Sequence, residues 1–223
     1  MSSPSGSSSS SSSTSSSPPW IPWFTSLPGN ALYASIPPAY IMDAFNLYGL
    51  RAITPNFTAT LNTLLDRSTP STPLPDTIRL YGLIHSRYIL TTPGLSQMSE
   101  KYLNGDFGYC PLIKCGGEKN RQKCLPVGMS DVPGVSSVKL YCPRCQNTFE
   151  KNTQSLESDT EIDGAHFGIS FLGSFFLGNP ELVVEGECKE VPDVMRVFGF
   201  KVHGSSVALQ SVRLDILCVA RSE

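Results

Sequence analysis

Four cysteines in two short turns constrain this chain more than any other feature. Cys110 and Cys115 are separated by four residues, Cys142 and Cys145 by two, and the two pairs by 26. Each turn offers two thiolates to one tetrahedral ion, and the excursion between them returns the chain to that ion, so the pattern points to Zn²⁺. Four sulfur ligands leave no coordination position open. The site is therefore expected to be structural, one ion per chain, with its binding free energy acting as folding free energy. Buried thiols without metal, or a ligand set that includes Cys124, are the alternatives. The four-residue gap is looser than the common two-residue turn, and Gly116-Gly117 gives the backbone freedom to wrap. Cys188 and Cys218 lie far off and read as small apolar residues or free thiols.

The rest of the composition limits what such a chain does. Its 223 residues suffice for one ordinary domain with an appendage, or for two small modules that share a core. With 17 Lys and Arg against 19 Asp and Glu, the net charge of −2 argues against a protein that works mainly by neutralising phosphates. The longest apolar run, Phe167 to Leu177, has 11 residues and is too short to cross a bilayer. The N-terminus shows neither the basic nor the apolar region of a signal peptide. A nucleus and cytoplasm location is expected, where clustered cysteines bind metal more often than they form disulfides.

Composition shifts divide the chain. Thirteen of residues 2–17 are Ser and none is apolar, so residues 1–18 are expected to be a disordered tail. Trp20-Ile21-Pro22-Trp23-Phe24 then reads as an aromatic N-terminal strand anchored on a core. A helix is expected from Pro38 to Tyr48, with Ile41, Phe45 and Tyr48 on one stripe and Gly49 as its stop. A second is expected over residues 57–66 with Phe57, Leu61, Leu64 and Leu65 inward, followed by a Ser/Thr/Pro loop over 67–75. Ile78, Tyr81, Ile84, His85 and Tyr88 define a third, from Asp76 to Leu90. Thr92-Pro93-Gly94 fits a cap and first turn for a fourth, carrying Leu95, Met98 and Tyr102 and ending at Gly105. The fold class is α+β: a helical domain over 19–104, a four-cysteine zinc ribbon over 105–165, and a C-terminal segment over 166–223.

Catalytic signatures are missing from this sequence. It has no Walker-type loop, no kinase signature set and no His-Glu-x-x-His helix. His85 reads as a polar-edge residue of its helix, and His166 and His203 have no adjacent nucleophile. Gly164-Ala165-His166-Phe167-Gly168 lacks phosphate-loop spacing and reads as a turn into a strand. Lys114, Lys119, Arg121 and Lys123 make a basic loop within the ribbon, so a zinc-ribbon nucleic-acid-binding protein is the competing function. That loop lacks the interleaved aromatics of a stacking platform, which makes nucleic acid the weaker partner.

Longer motifs carry a family resemblance. They are Trp20-Ile21-Pro22-Trp23-Phe24, Phe45-Asn46-Leu47-Tyr48-Gly49-Leu50, the run from Leu80 to Thr91, and Gly105-Asp106-Phe107-Gly108-Tyr109-Cys110-Pro111. Leu125 to Gly134, Val138 to Cys145, Asp163 to Gly168 and Arg196 to His203 continue the series. In order and spacing these closely resemble the regulatory beta subunit of casein kinase II, across residues 20 to 203. The resemblance implies a non-catalytic regulator that forms a homodimer through its zinc ribbon. It also implies that a C-terminal hairpin docks the kinase catalytic subunit, giving a two-plus-two heterotetramer that modulates activity toward protein substrates. The docking positions it assigns are Phe198 and Phe200, flanked by Arg196 and His203, with the two rings on one face of a strand. Apolar ribbon residues Val138, Leu140 and Phe149 are the candidate dimer contacts. The sequence departs from the family where an acidic loop is replaced by Arg67-Ser68-Thr69-Pro70-Ser71-Thr72-Pro73, and where Glu181, Glu185, Glu187 and Glu190 occupy a stretch that tends to be basic. Recognition of polyamines through that loop is accordingly not expected.

Overall fold

The computed structural model describes residues 18–68, 74–112, 115, 121–150, 161–183, 196–197 and 200–201. Helix α1 (Trp20–Ser26) starts at the aromatic cluster. The anchoring role holds, but the segment is a helix and not a strand: Trp20 stacks on Phe24 with centroids 4.7 Å apart, four residues on, which only helical spacing permits. The Trp20 N–H donates to Asp66 Oδ1 at 2.9 Å.

Helix α2 (Pro38–Met42) is shorter than its pattern predicts. Asp43 turns extended and its carboxylate accepts the Phe45 N–H, which starts a 3-10 turn over Ala44–Leu47. This break swings the expected stripe apart. Ile41 is buried, whereas Phe45 and Tyr48 are 84% and 82% exposed. Gly49, at φ 78°, leads into α3 (Leu50–Ile53), and α4 (Phe57–Leu64) follows. In α4 the buried residues are Phe57, Thr60, Thr63 and Leu64; Leu61 and Leu65 lie half-buried at its edge.

Helix α5 (Leu74–Tyr88) buries Thr77, Leu80, Tyr81, Ile84, His85 and Tyr88, a 3.6-residue stripe through the centre of the molecule. The cap of α6 (Thr92–Asn104) is Thr91, one residue before the expected Thr92, and its hydroxyl accepts the Gly94 N–H at 3.3 Å. Gly94 permits the tight α5–α6 corner, since a Cβ there would lie 2.1 Å from the Tyr88 carbonyl oxygen. Gly105 closes α6 in the left-handed region.

Strands β1 (Leu125–Val127), β2 (Lys139–Tyr141) and β3 (Thr148–Glu150) form an antiparallel sheet in that order. The stretch at Gly164 is a 3-10 turn over Gly164–His166, capped by Asp163 through the Ala165 N–H, and leads into helix α7 (Phe171–Gly178). The expected strand is absent there because Gly168, at φ 71°, redirects the chain into a helix whose Phe171 and Phe175 are buried. Among the described residues no helix is long and apolar enough to cross a membrane. One hydrophobic cluster runs from the helices into the ribbon: Leu125, Val138, Ile162, Phe167, Phe171 and Phe175 join Phe24, Tyr81 and Ile84. A last antiparallel pair, β4 (Arg196–Val197) with β5 (Phe200–Lys201), matches Val197 to Phe200.

Candidate functional site

The two cysteine turns converge. The first is held where the Cys110 N–H donates to the Gln122 carbonyl at 2.7 Å and the Cys115 N–H to Leu112 at 3.0 Å. The second is a tight turn between β2 and β3, in which the Gln146 N–H donates to the Cys142 carbonyl and Gln146 itself adopts φ 57°. These backbones bring the sulfurs of Cys110, Cys115, Cys142 and Cys145 within 4.8 Å of one another. The Cys110 and Cys145 sulfurs are 3.8 Å apart and those of Cys115 and Cys142 are 3.6 Å apart. A regular tetrahedron with Zn–S arms of about 2.3 Å has edges of about 3.8 Å, which these two pairs match while all four sulfurs lie within 4.8 Å.

The electrostatics point the same way. Burial, reinforced by Cys142, raises the Cys115 thiol to about 12, while hydrogen bonds from the Cys124 and Cys145 thiols hold Cys142 far below the usual thiol range. A bound dication compensates more thiolates and satisfies all four sulfurs. Cys124 is buried beside the four but stands outside the set.

The candidate interface residues divide. Leu140 and Phe149 are paired across β2 and β3 and lie half-buried against the cysteine cluster. Val138 is 3% exposed and belongs to this chain's own core, so it has almost no surface left to offer a partner. Arg196 lies on β4 and Phe200 opens β5, two strands that pair antiparallel with Val197 opposite Phe200. Phe198 and His203 fall outside the described residues. Of the basic loop, Arg121 donates to the Cys110 carbonyl at 3.1 Å and Lys123 donates to the Leu103 carbonyl, so both help to fasten the ribbon. Lys114 and Lys119 lie outside the described residues.

Sequence reasoning missed the use made of two histidines. His85 is fully buried and not at a polar edge: its Nε2 accepts the Ala34 N–H at 2.9 Å, and its Nδ1–H donates to the His166 carbonyl at 2.7 Å. The Tyr33 hydroxyl lies 2.6 Å from His166 Nδ1. Burial lowers His85 to about 3 and His166 to about 4, so both are neutral at ordinary pH. The signal was Gly82, a helix-interior glycine whose added Cβ would meet the His166 ring at 2.2 Å.

The fold and this centre define a class: a helical body joined to a four-cysteine ribbon. The sequence pattern described as casein kinase II regulatory subunit matches residues 19–201. The casein kinase II subunit beta of Schizosaccharomyces pombe is 42% identical over 199 residues, covering 86% of this chain and 82% of the yeast protein. Its counterpart in Dictyostelium discoideum is 39% identical over 196 residues, 84% of this chain and 69% of that one. Subunit beta' of Saccharomyces cerevisiae is 37% identical over 195 residues, 82% and 72% respectively. The chain belongs to the casein kinase II regulatory subunit family, and it is a non-catalytic regulator.

Proposed function

We propose that this chain binds one structural Zn²⁺ through Cys110, Cys115, Cys142 and Cys145, and that the ion fixes a surface for self-association. The observation that carries the reading is the convergence of four sulfurs within 4.8 Å, from turns 27 or more residues apart in sequence. Leu140 and Phe149 give the ribbon a half-buried apolar face beside that centre, suited to a second copy of the chain. The helical domain (19–104) and ribbon (105–165) then serve as a rigid base for the segment from 166 onward. There Arg196, Phe198, Phe200 and His203 dock a casein kinase II catalytic subunit in the nucleus and cytoplasm. Kinase activity resides in the partner; this chain positions it and biases its choice of protein substrates.

The test is coexpression with a casein kinase II catalytic subunit, followed by mass measurement of the intact assembly and metal analysis. Two copies of each chain with one zinc per regulatory chain is the expected result. A zinc-loaded monomer that leaves the catalytic subunit unbound overturns the reading.

A further inference from the structure

Among the described cysteines, Cys124 alone has no task in the zinc assignment. It is fully buried against Cys110, Cys115 and Cys142. Strand register names its partner. β1 and β2 pair Leu125 with Tyr141, Pro126 with Leu140 and Val127 with Lys139, so one step further along the same register Cys124 faces Cys142. Antiparallel pairs alternate between those that exchange backbone hydrogen bonds and those that do not. Pro126 has no N–H to exchange, so Pro126 and Leu140 are a pair of the second kind. Two positions along, Cys124 and Cys142 are another.

The backbone agrees. The Cys124 N–H points away to the Gly108 carbonyl at 3.0 Å, and the Cys142 N–H to the Asn147 carbonyl at 3.0 Å. Pairs of this kind bring their Cα atoms to about 4.5 Å and set both side chains on one face. A disulfide spans Cα separations of about 4.4–6.8 Å, so these two cysteines can be bridged without moving the strands. Their thiols already touch, since the Cys124 S–H donates a hydrogen bond to the Cys142 sulfur. The other close pairs, Cys110 with Cys145 and Cys115 with Cys142, each join two ligands. Both sulfurs of those pairs are committed to the ion. Only Cys124 offers a free sulfur to an oxidised ligand.

We infer that Cys124 and Cys142 form an oxidation site, at which hydrogen peroxide makes a reversible disulfide and so takes Cys142 out of the metal-ligand set. The bond itself follows from strand register; only its consequence rests on the zinc assignment. In the first step the Cys142 thiolate sulfur attacks one peroxide oxygen and the O–O bond breaks, which leaves a sulfenic acid on Cys142 and releases hydroxide. In the second, the Cys124 sulfur attacks the Cys142 sulfur. The S–S bond forms as the sulfenic hydroxyl leaves, and that hydroxyl takes the Cys124 proton to become water. The two sulfurs lose two electrons, and the peroxide gains them. Cys145, the partly exposed member of the cluster, marks the side from which so small an oxidant enters. Three remaining ligands hold a structural ion weakly, and Leu140 and Phe149 pack on the same cysteines. Oxidation therefore loosens both the centre and the apolar face beside it.

The test treats the full, zinc-loaded chain with hydrogen peroxide, follows released zinc with a chromogenic chelator, and maps bridges by peptide mass. Zinc release with a Cys124–Cys142 bridge as the main product is expected, and dithiothreitol with added zinc should reverse both. Cys124→Ser and Cys124→Ala should each hold zinc and melt cooperatively before oxidation, which shows that they fold. Peroxide should then release their zinc at least about tenfold more slowly than the parent's, because no free thiol resolves the oxidised ligand. Bridges mapped to Cys110–Cys145 or Cys115–Cys142 instead, or folded variants that lose zinc at the parent's rate, overturn the inference. Variants that fold without zinc make Cys124 a ligand and overturn its role as the free thiol. A parent chain that carries no zinc before oxidation overturns the zinc assignment, and the mapped bridge then still decides whether Cys124 and Cys142 pair.

Discussion

Helices α1 to α6 close over aromatic rings, whereas the sheet closes over sulfur, and the two interiors fail in different ways. In the helical half, Trp20, Phe24, Tyr33 and Tyr81 form a chain of ring contacts with centroid spacings of 4.7–5.9 Å. Such a core draws on buried apolar area distributed over many residues, so each substitution removes a fraction of it. The ribbon has three strands of three residues each: Leu125 joins the shared apolar core, while Leu140 and Phe149 pack against the cysteine cluster. Three strands of three residues bury little apolar area of their own, so the chemistry of the cysteine cluster weighs more heavily there. The difference teaches where each half is vulnerable: the helices to volume and shape, the ribbon to ligand chemistry.

The largest expected effect lies in the ribbon. Cys142→Ser removes a ligand, and structural zinc sites contribute on the order of 10 kcal/mol to folding, so zinc content should fall from one per chain to none. Metal analysis with hydrogen exchange checks this: protection is lost at β1 to β3 and largely kept along α5. Cys124→Ser should retain zinc. Equal zinc loss in both variants breaks the assignment of ligands.

In the helical half, Gly82→Ala drives a methyl group into the His166 ring, where a Cβ would sit 2.2 Å away. Overpacking of this kind costs about 2–3 kcal/mol and lowers the melting temperature by roughly 4–12 °C. Calorimetry checks the size, and unchanged zinc content shows that the damage is confined to packing.

A similar magnitude is expected for Phe200→Ala, read in binding rather than in folding. Truncating an aromatic anchor weakens association by about 2 kcal/mol, a factor of roughly thirty. Titration calorimetry against the catalytic subunit should show that loss while zinc content and melting temperature stay at parent values. Unchanged affinity removes Phe200 from the docking surface.

The mildest perturbation is pH. Burial lowers both His85 and His166 in the folded chain, to about 3 and about 4, from an ordinary value of 6.5. As pH falls below 6.5 the unfolded chain takes up protons that the folded chain refuses, so stability is full above 6.5 and declines down to about 4 and then 3. Melting followed by helix circular dichroism should show this decline, with zinc release measured in parallel to separate the ribbon's own acid sensitivity.

Legibility differed between the halves for the same reason. Cysteine spacing is a chemical code that survives without structure, and the sequence-predicted ligands are the ones the backbone gathers. Helix α5 was equally plain, since its apolar stripe runs over four turns. What escaped were the places where one local bond overrides periodicity. Asp43 capping Phe45 ended α2 early and left Phe45 and Tyr48 exposed. The aromatic run at Trp20 reads as strand-like by composition, yet its rings stack at helical spacing. The role of His85 depends on Ala34 and His166, partners 51 and 81 residues away, which no window along the chain contains.

The contact between Gly82 and His166 also orders events in time. A nascent chain exposes its N-terminal helices to solvent well before residue 166 has been synthesised. Until then the Tyr33 hydroxyl and the Nδ1 proton of His85 have no protein partner, and the groove above Gly82 stands open. The helical body therefore waits on the ribosome for its last piece. A chain truncated between the ribbon and residue 166 lacks the carbonyl that receives the His85 proton and the ring that covers Gly82.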